Sequence, residues 1–160
     1  MRLEAAQGWV ELGDNSEAVR ELGQITPQYR SHPDVLELKW KISALDRSWN
    51  TCLGIAETLA ELAPRRVTSW LLLAASLNHL GETEEACETL IEMLSEFPEN
   101  PALPYQLACY SCELGDLNEA IGWWDEACQL GDAKELKALA LQDTALMPLW
   151  DCIRNGPTSK

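Results

Sequence analysis

The chain has 160 residues, 46% of them hydrophobic and 24% charged, with a net charge of −14, enough for one domain with its own core. No apolar run reaches the roughly 20 residues of a membrane span, and the start, Met1-Arg2-Leu3-Glu4-Ala5-Ala6, lacks the apolar core of a signal peptide, so a cytoplasmic protein with reduced cysteines is expected. Residues 67–133 carry 13 acidic side chains and no Lys or Arg, which disfavours nucleic acid and anionic membranes as partners.

Leu, Ala and Glu dominate and β-branched residues are sparse, which favours an all-α chain. Four stretches align along it: Leu12-Gly13-Asp14-Asn15-Ser16-Glu17-Ala18, Leu45 to Thr51, Leu80-Gly81-Glu82-Thr83-Glu84-Glu85-Ala86, and Leu114-Gly115-Asp116-Leu117-Asn118-Glu119-Ala120. Their spacings of 33, 35 and 34 residues are a sign of a repeat architecture. Each reads as a break between two helices, with Gly at the turn and capping-box spacing at Asp14/Glu17 and Asp116/Glu119.

In the first unit, Ala6, Trp9, Ala18 and Leu22 mark the two helices, and the second helix is expected to run towards Arg30. In the second, Val35, Leu38, Ile42 and Leu45, then Ile55 and Leu59, have helical spacing. There Lys39 falls at an expected small position and Thr51 replaces the Ala. The third has Trp70, Leu73, Ala74, Leu77 and Leu80 on one stripe, then Ala86, Leu90, Met93 and Leu94, with Pro98 closing it. The fourth has Leu107, Ala108, Ser111 and Leu114, then Ala120, Trp124 and Ala127. Beyond Leu130 the pattern changes, and Leu149, Trp150 and Ile153 are expected to cover the apolar end of the last unit.

These positions resemble the tetratricopeptide repeat, with Ala in place of its Gly and Leu or Trp at its aromatic sites. His32-Pro33-Asp34-Val35-Leu36-Glu37, Leu107 to Gly115 and Pro148-Leu149-Trp150 further resemble segments of a group of uncharacterised bacterial tetratricopeptide proteins. The resemblance implies an all-α right-handed superhelix of about four helix-turn-helix repeats, at about 1–32, 33–66, 67–100 and 101–134. A C-terminal cap would span 135–154, completing a single domain over 1–154, and a disordered tail 155–160. It brings no activity and no assigned site.

In this fold the first helix of each pair lines a concave groove. Projecting the repeat places Gln7 and Glu11, then Leu36, Trp40 and Ser43, Leu71, Ala75, Asn78 and His79, and Tyr105, Cys109, Cys112 and Glu113 in it. Trp40, Leu71 and Tyr105 would be apolar anchors for a peptide or helix, or would simply pack within the superhelix. Clamps for the carboxylate tails of chaperones use Lys, Arg and Asn along the groove; only Asn78 is of that type, so that function is not expected. Glu84, Glu88, Glu92 and Glu96 form an acidic run that is either a solvated face or a seat for a basic partner.

Cys109-Tyr110-Ser111-Cys112 is a C-x-x-C in mid-helix, away from the helix start where such a pair gains reactivity. Cys109, Cys112 and His79 are weak metal-ligand candidates, and no metal or cofactor is expected. No orienting group or oxyanion hole accompanies a Cys–His pair, so no enzyme is expected. The reading is a protein-interaction scaffold holding a basic or apolar peptide or helix. The alternatives are a self-assembling homo-oligomer and a thiol- or metal-dependent switch at the C-x-x-C.

Overall fold

A computed structural model describes residues 2–156, and all the regular elements among them are helical. They are α1 (Arg2–Glu11), α2 (Asn15–Gly23), a 3-10 turn (Pro27–Tyr29), α3 (Pro33–Leu45), α4 (Trp49–Leu62), α5 (Val67–His79) and α6 (Thr83–Met93). There follow α7 (Ala102–Leu114), α8 (Leu117–Leu130), α9 (Ala133–Ala140), a 3-10 strap (Thr144–Leu149) and α10 (Trp150–Asn155). Of the expected tail, Asn155 closes α10 and residues 157–160 lie outside the described residues.

The phase of the repeat is set by four residues in the left-handed region: Gly13 (φ 79), Arg47 (φ 55), Gly81 (φ 91) and Gly115 (φ 83), each 34 residues after the last. At every one the N–H bonds a carbonyl three residues back, and the next N–H reaches five back, as in Gly13→Val10 with Asp14→Trp9 and Arg47→Ala44 with Ser48→Ser43. These bonds satisfy carbonyls that the helix end would leave open. Asp14 and Asp116 then cap the following helices, each Oδ1 accepting an N–H, from Glu17 and Glu119 respectively, at 3.1 Å. The reciprocal half of the capping box is not formed, because the N–H groups of Asp14 and Asp116 are already spent on the turn.

Arg47, not Asp46, therefore stands where the other repeats have Gly, which shifts the second unit by one residue from its sequence alignment. Cys52, not Thr51, takes the small position of Ala18, Ala86 and Ala120; all four are fully buried. Trp40, not Lys39, takes the small position of Ala6, Ala74 and Ala108, which are also fully buried. The indole is accommodated by a tilted contact with Trp49 at 6.4 Å and by donating to Ser76 Oγ at 2.8 Å.

Two further boundaries differ from expectation. The second helix of the first unit stops at Gly23 instead of running to Arg30. Thr26 precedes Pro27 and is extended (φ −57, ψ 142), as the clash with a following proline ring demands. Helix α6 ends at Met93, so Glu96 lies in the turn beyond it.

The chain divides into two compact units after Ser76. In the first, α1 packs on α2 and α3 on α4, around Ala6, Ala18, Leu22, Ile25, Val35, Leu38 and Ile42. Arg66 ties the turn before α5 to α3, donating to Asp34 at 2.7 Å and Glu37 at 3.1 Å. In the second, α7 packs on α6, α8 and the strap, with Leu90, Leu103, Leu107, Leu146 and Leu149 essentially inaccessible. Burying each such leucine contributes about 1.5–3 kcal/mol.

Two substitutions test this packing. Ala108→Leu should overfill the α7 contact and lower stability by about 1–3 kcal/mol, read from the melting temperature. Arg47→Gly should raise it by about 0.5–1 kcal/mol in a urea titration, relieving the left-handed backbone while loosening the unfolded chain; no gain would contradict the turn geometry.

Candidate functional site

In the corrected 34-residue phase, Tyr105, Cys109, Cys112 and Glu113 on α7 correspond to Leu71, Ala75, Asn78 and His79 on α5, and to Glu37, Lys41, Ala44 and Leu45 on α3, the same face of each first helix. Leu36, Trp40 and Ser43 were expected on this face but sit one step around α3. Leu36 is buried, Trp40 packs on Trp49, and Ser43 faces a cleft shared with Ile42 and Lys39. The missed residues could have been found from the period: a leucine beside a turn lacking Gly, as at Leu45, gives no fixed phase, whereas the 34-residue spacing from Gly13 and Gly81 does.

The face differs between the two units. In the first, Lys41 is exposed, Leu45 is 58% exposed, and Leu71 and Ala75 are half-buried. Glu37 is held by Arg66.

In the second unit the α7 face is covered by the chain itself. The strap Thr144–Leu149 lies against α7, and every residue from Leu103 to Cys112 is buried except the half-buried Gln106. Asp143 anchors the strap twice. Its Oδ1 accepts from the N–H of Ala145 at 3.0 Å, starting the 3-10 turn, and its Oδ2 accepts from the Tyr105 hydroxyl at 2.8 Å. Cys109 Sγ also points to Asp143 Oδ2, at 3.8 Å. Tyr105 meets Trp124 edge-on at 6.3 Å. Leu146 and Leu149 insert completely, and Ile153 follows. Trp150 stays half-buried, its indole N–H donating to Ala140 O at 2.8 Å and its ring lying under the Arg154 guanidinium.

Burial sets the chemistry of the C-x-x-C. It pushes the Cys109 and Cys112 thiols upward, with Asp143 and Glu113 adding to the effect. Protonated, enclosed thiols are poor nucleophiles and poor ligands. His79 and Glu113 are exposed at the ends of α5 and α7, and Asn78 Nδ2 donates to Glu113 Oε1 at 3.3 Å. Among the described residues no group of three His, Cys, Asp or Glu is placed to hold a metal ion. Trp123 donates to Glu119 Oε1 at 3.4 Å along the surface of α8.

The Tyr105–Asp143 bond also makes stability pH-dependent. Burial, then the Asp143 carboxylate, pushes the Tyr105 hydroxyl upward, and burial with nearby carboxylates pushes Cys87 up to about 11. The folded state keeps these protons where the unfolded state releases them, from about pH 8.5 for thiols and about pH 10 for tyrosine. Stability is thus complete below that range and falls as pH rises through it. Urea titrations should show this loss between pH 8 and 10.5. Tyr105→Phe should cost about 1–3 kcal/mol at pH 7 and flatten the slope above pH 10.

No protein-family model and no curated protein matches the chain. Solved structures do. TTC0263, a thermophilic tetratricopeptide protein of Thermus thermophilus, is 19% identical, over 95% of this chain and 81% of that one, with a TM-score of 0.76. MamA of Desulfovibrio magneticus RS-1, from residue 41 to its end, is 16% identical, over 81% of this chain and 73% of that one, at 0.68. Another MamA structure is 14% identical, over 86% and 78%, also at 0.68. The all-α helical repeat described above is the tetratricopeptide-repeat fold.

Proposed function

We propose that the chain is a protein-interaction scaffold that holds an apolar peptide or helix of a partner on the first-helix face of its first unit, at Lys41, Leu45, Leu71 and Ala75. One observation carries this reading: the matching face of α7 already holds a peptide segment, the chain's own strap, through Tyr105 and two fully inserted leucines. The same face of the first unit keeps Leu45 and Lys41 exposed. A repeat fold of this kind, with protonated interior thiols and helices of which none is long and apolar enough to cross a membrane among the described residues, is suited to binding more than to chemistry. Burial of exposed apolar area favours association, and here Leu45 faces outward while Leu71 and Ala75 are half-buried.

Affinity capture from the source lysate, followed by binding measurements on the captured partner, tests the proposal. Leu45→Ala/Leu71→Ala should weaken that partner at least tenfold, with the far-ultraviolet circular dichroism unchanged. A partner that ignores both substitutions but leaves at 0.5 M salt would move the site to the acidic helix α6 and sink this assignment.

A further inference from the structure

A second surface of the first unit departs from the repeat in a directed way. A cleft of about 510 Å³ opens among α2, α3 and α4, floored by Val19, Leu22, Ile42 and Ile55, with Arg30 and Lys39 on it. Val19 is 54% exposed. In the 34-residue phase, Lys39 stands where α5 and α7 have Leu73 and Leu107. Thr51, also lining the cleft, stands where α2, α6 and α8 have Glu17, Glu85 and Glu119. A position that is leucine in the third and fourth repeats and Ala5 in the first is here a cation, and the carboxylate of the other three repeats is missing, so the cleft is positive in a chain of net charge −14.

Neither cation is neutralised. Lys39 is half-buried and has no ion pair or hydrogen bond among the described residues. Among the described residues, exposed Arg30 donates only to the Ile25 carbonyl, at 3.1 Å. A partly desolvated cation without a counter-charge is unfavourable and is relieved by an incoming carboxylate.

The chain carries a matching surface. On α6, Glu84, Glu88 and Glu92 are exposed at four-residue spacing, and Ile91, 43% exposed, lies beside them. No Lys or Arg occurs anywhere in residues 67–133 to quench these carboxylates. Like charges at that spacing weaken a helix, so the carboxylates too gain from a cationic seat. We infer that the cleft takes α6 of a second copy of the chain, Ile91 entering among Val19, Ile42 and Ile55 while Glu84 and Glu88 meet Lys39 and Arg30. The two surfaces differ, so the contact is heterologous, and copies join head to tail. It shares no residue with the first-helix face proposed above, and either can fail without the other.

Sedimentation velocity on the full chain tests this directly. Concentration-dependent association is expected at 50 mM salt and should be lost at 0.5 M. Lys39→Leu, which places there the leucine of the third and fourth repeats and so keeps the fold, should weaken association at least tenfold, as should Glu88→Lys. Mixing the two variants should restore association, because each retains the half that the other lacks. A wild-type chain that stays monomeric at low salt overturns the inference. So does association that survives Lys39→Leu, or variants that fail to complement when mixed.

Discussion

Everything in this fold depends on a close helix contact that recurs every 34 residues. A side chain larger than a methyl group or a thiol would separate the backbones of each pair at Ala18, Cys52, Ala86 and Ala120. The left-handed turn before each of these residues reverses the chain within three positions. Short turns and small contact residues together leave the longer apolar side chains facing one way. The distribution of function follows: what packs is repeated, and what varies between repeats is free to bind.

The exceptions are the informative part. Trp40 occupies a position that is otherwise alanine, and the repeat absorbs it by giving the indole a ring to lean on and a serine to bond. Buried serine is uncommon without a partner; Ser76 has two, since it also donates to the Leu72 carbonyl at 2.8 Å. The strap is a second exception. A capping segment usually has only to cover apolar surface. This one also brings a carboxylate to a tyrosine, so the end of the repeat array is closed by a specific hydrogen bond as well as by leucines.

Much of this was legible in the sequence because it is local. Gly13, Gly81 and Gly115 announce their turns, Asp14 and Asp116 their caps, and the period gives the fold. The second repeat reads one residue out of phase because its turn is made by Arg47, whose side chain gives no hint of a left-handed backbone, and because a tryptophan sits where the pattern asks for alanine. That single step displaced three expected surface residues. That Leu149 and Ile153 cover the last unit was legible as an apolar segment beyond the period, but the strap's polar anchor was not, since Tyr105 and Asp143 are 38 residues apart and nothing local pairs them. The C-x-x-C was visible, but its enclosure follows from that same distant segment.

The aromatic pairs have an optical consequence. Trp40 and Trp49, with centroids 6.4 Å apart, belong wholly to the first unit, and Tyr105 and Trp124, 6.3 Å apart, belong wholly to the second. Two indoles so close couple their electronic transitions and give a chiral near-ultraviolet band. A tyrosine so close to an indole passes its excitation on and stays dark. The part of the dichroism that Trp40→Phe removes therefore reports on the first half, and the part of the tyrosine emission that Tyr105→Phe removes reports on the second, so that the folding of the two halves can be followed separately without adding a probe.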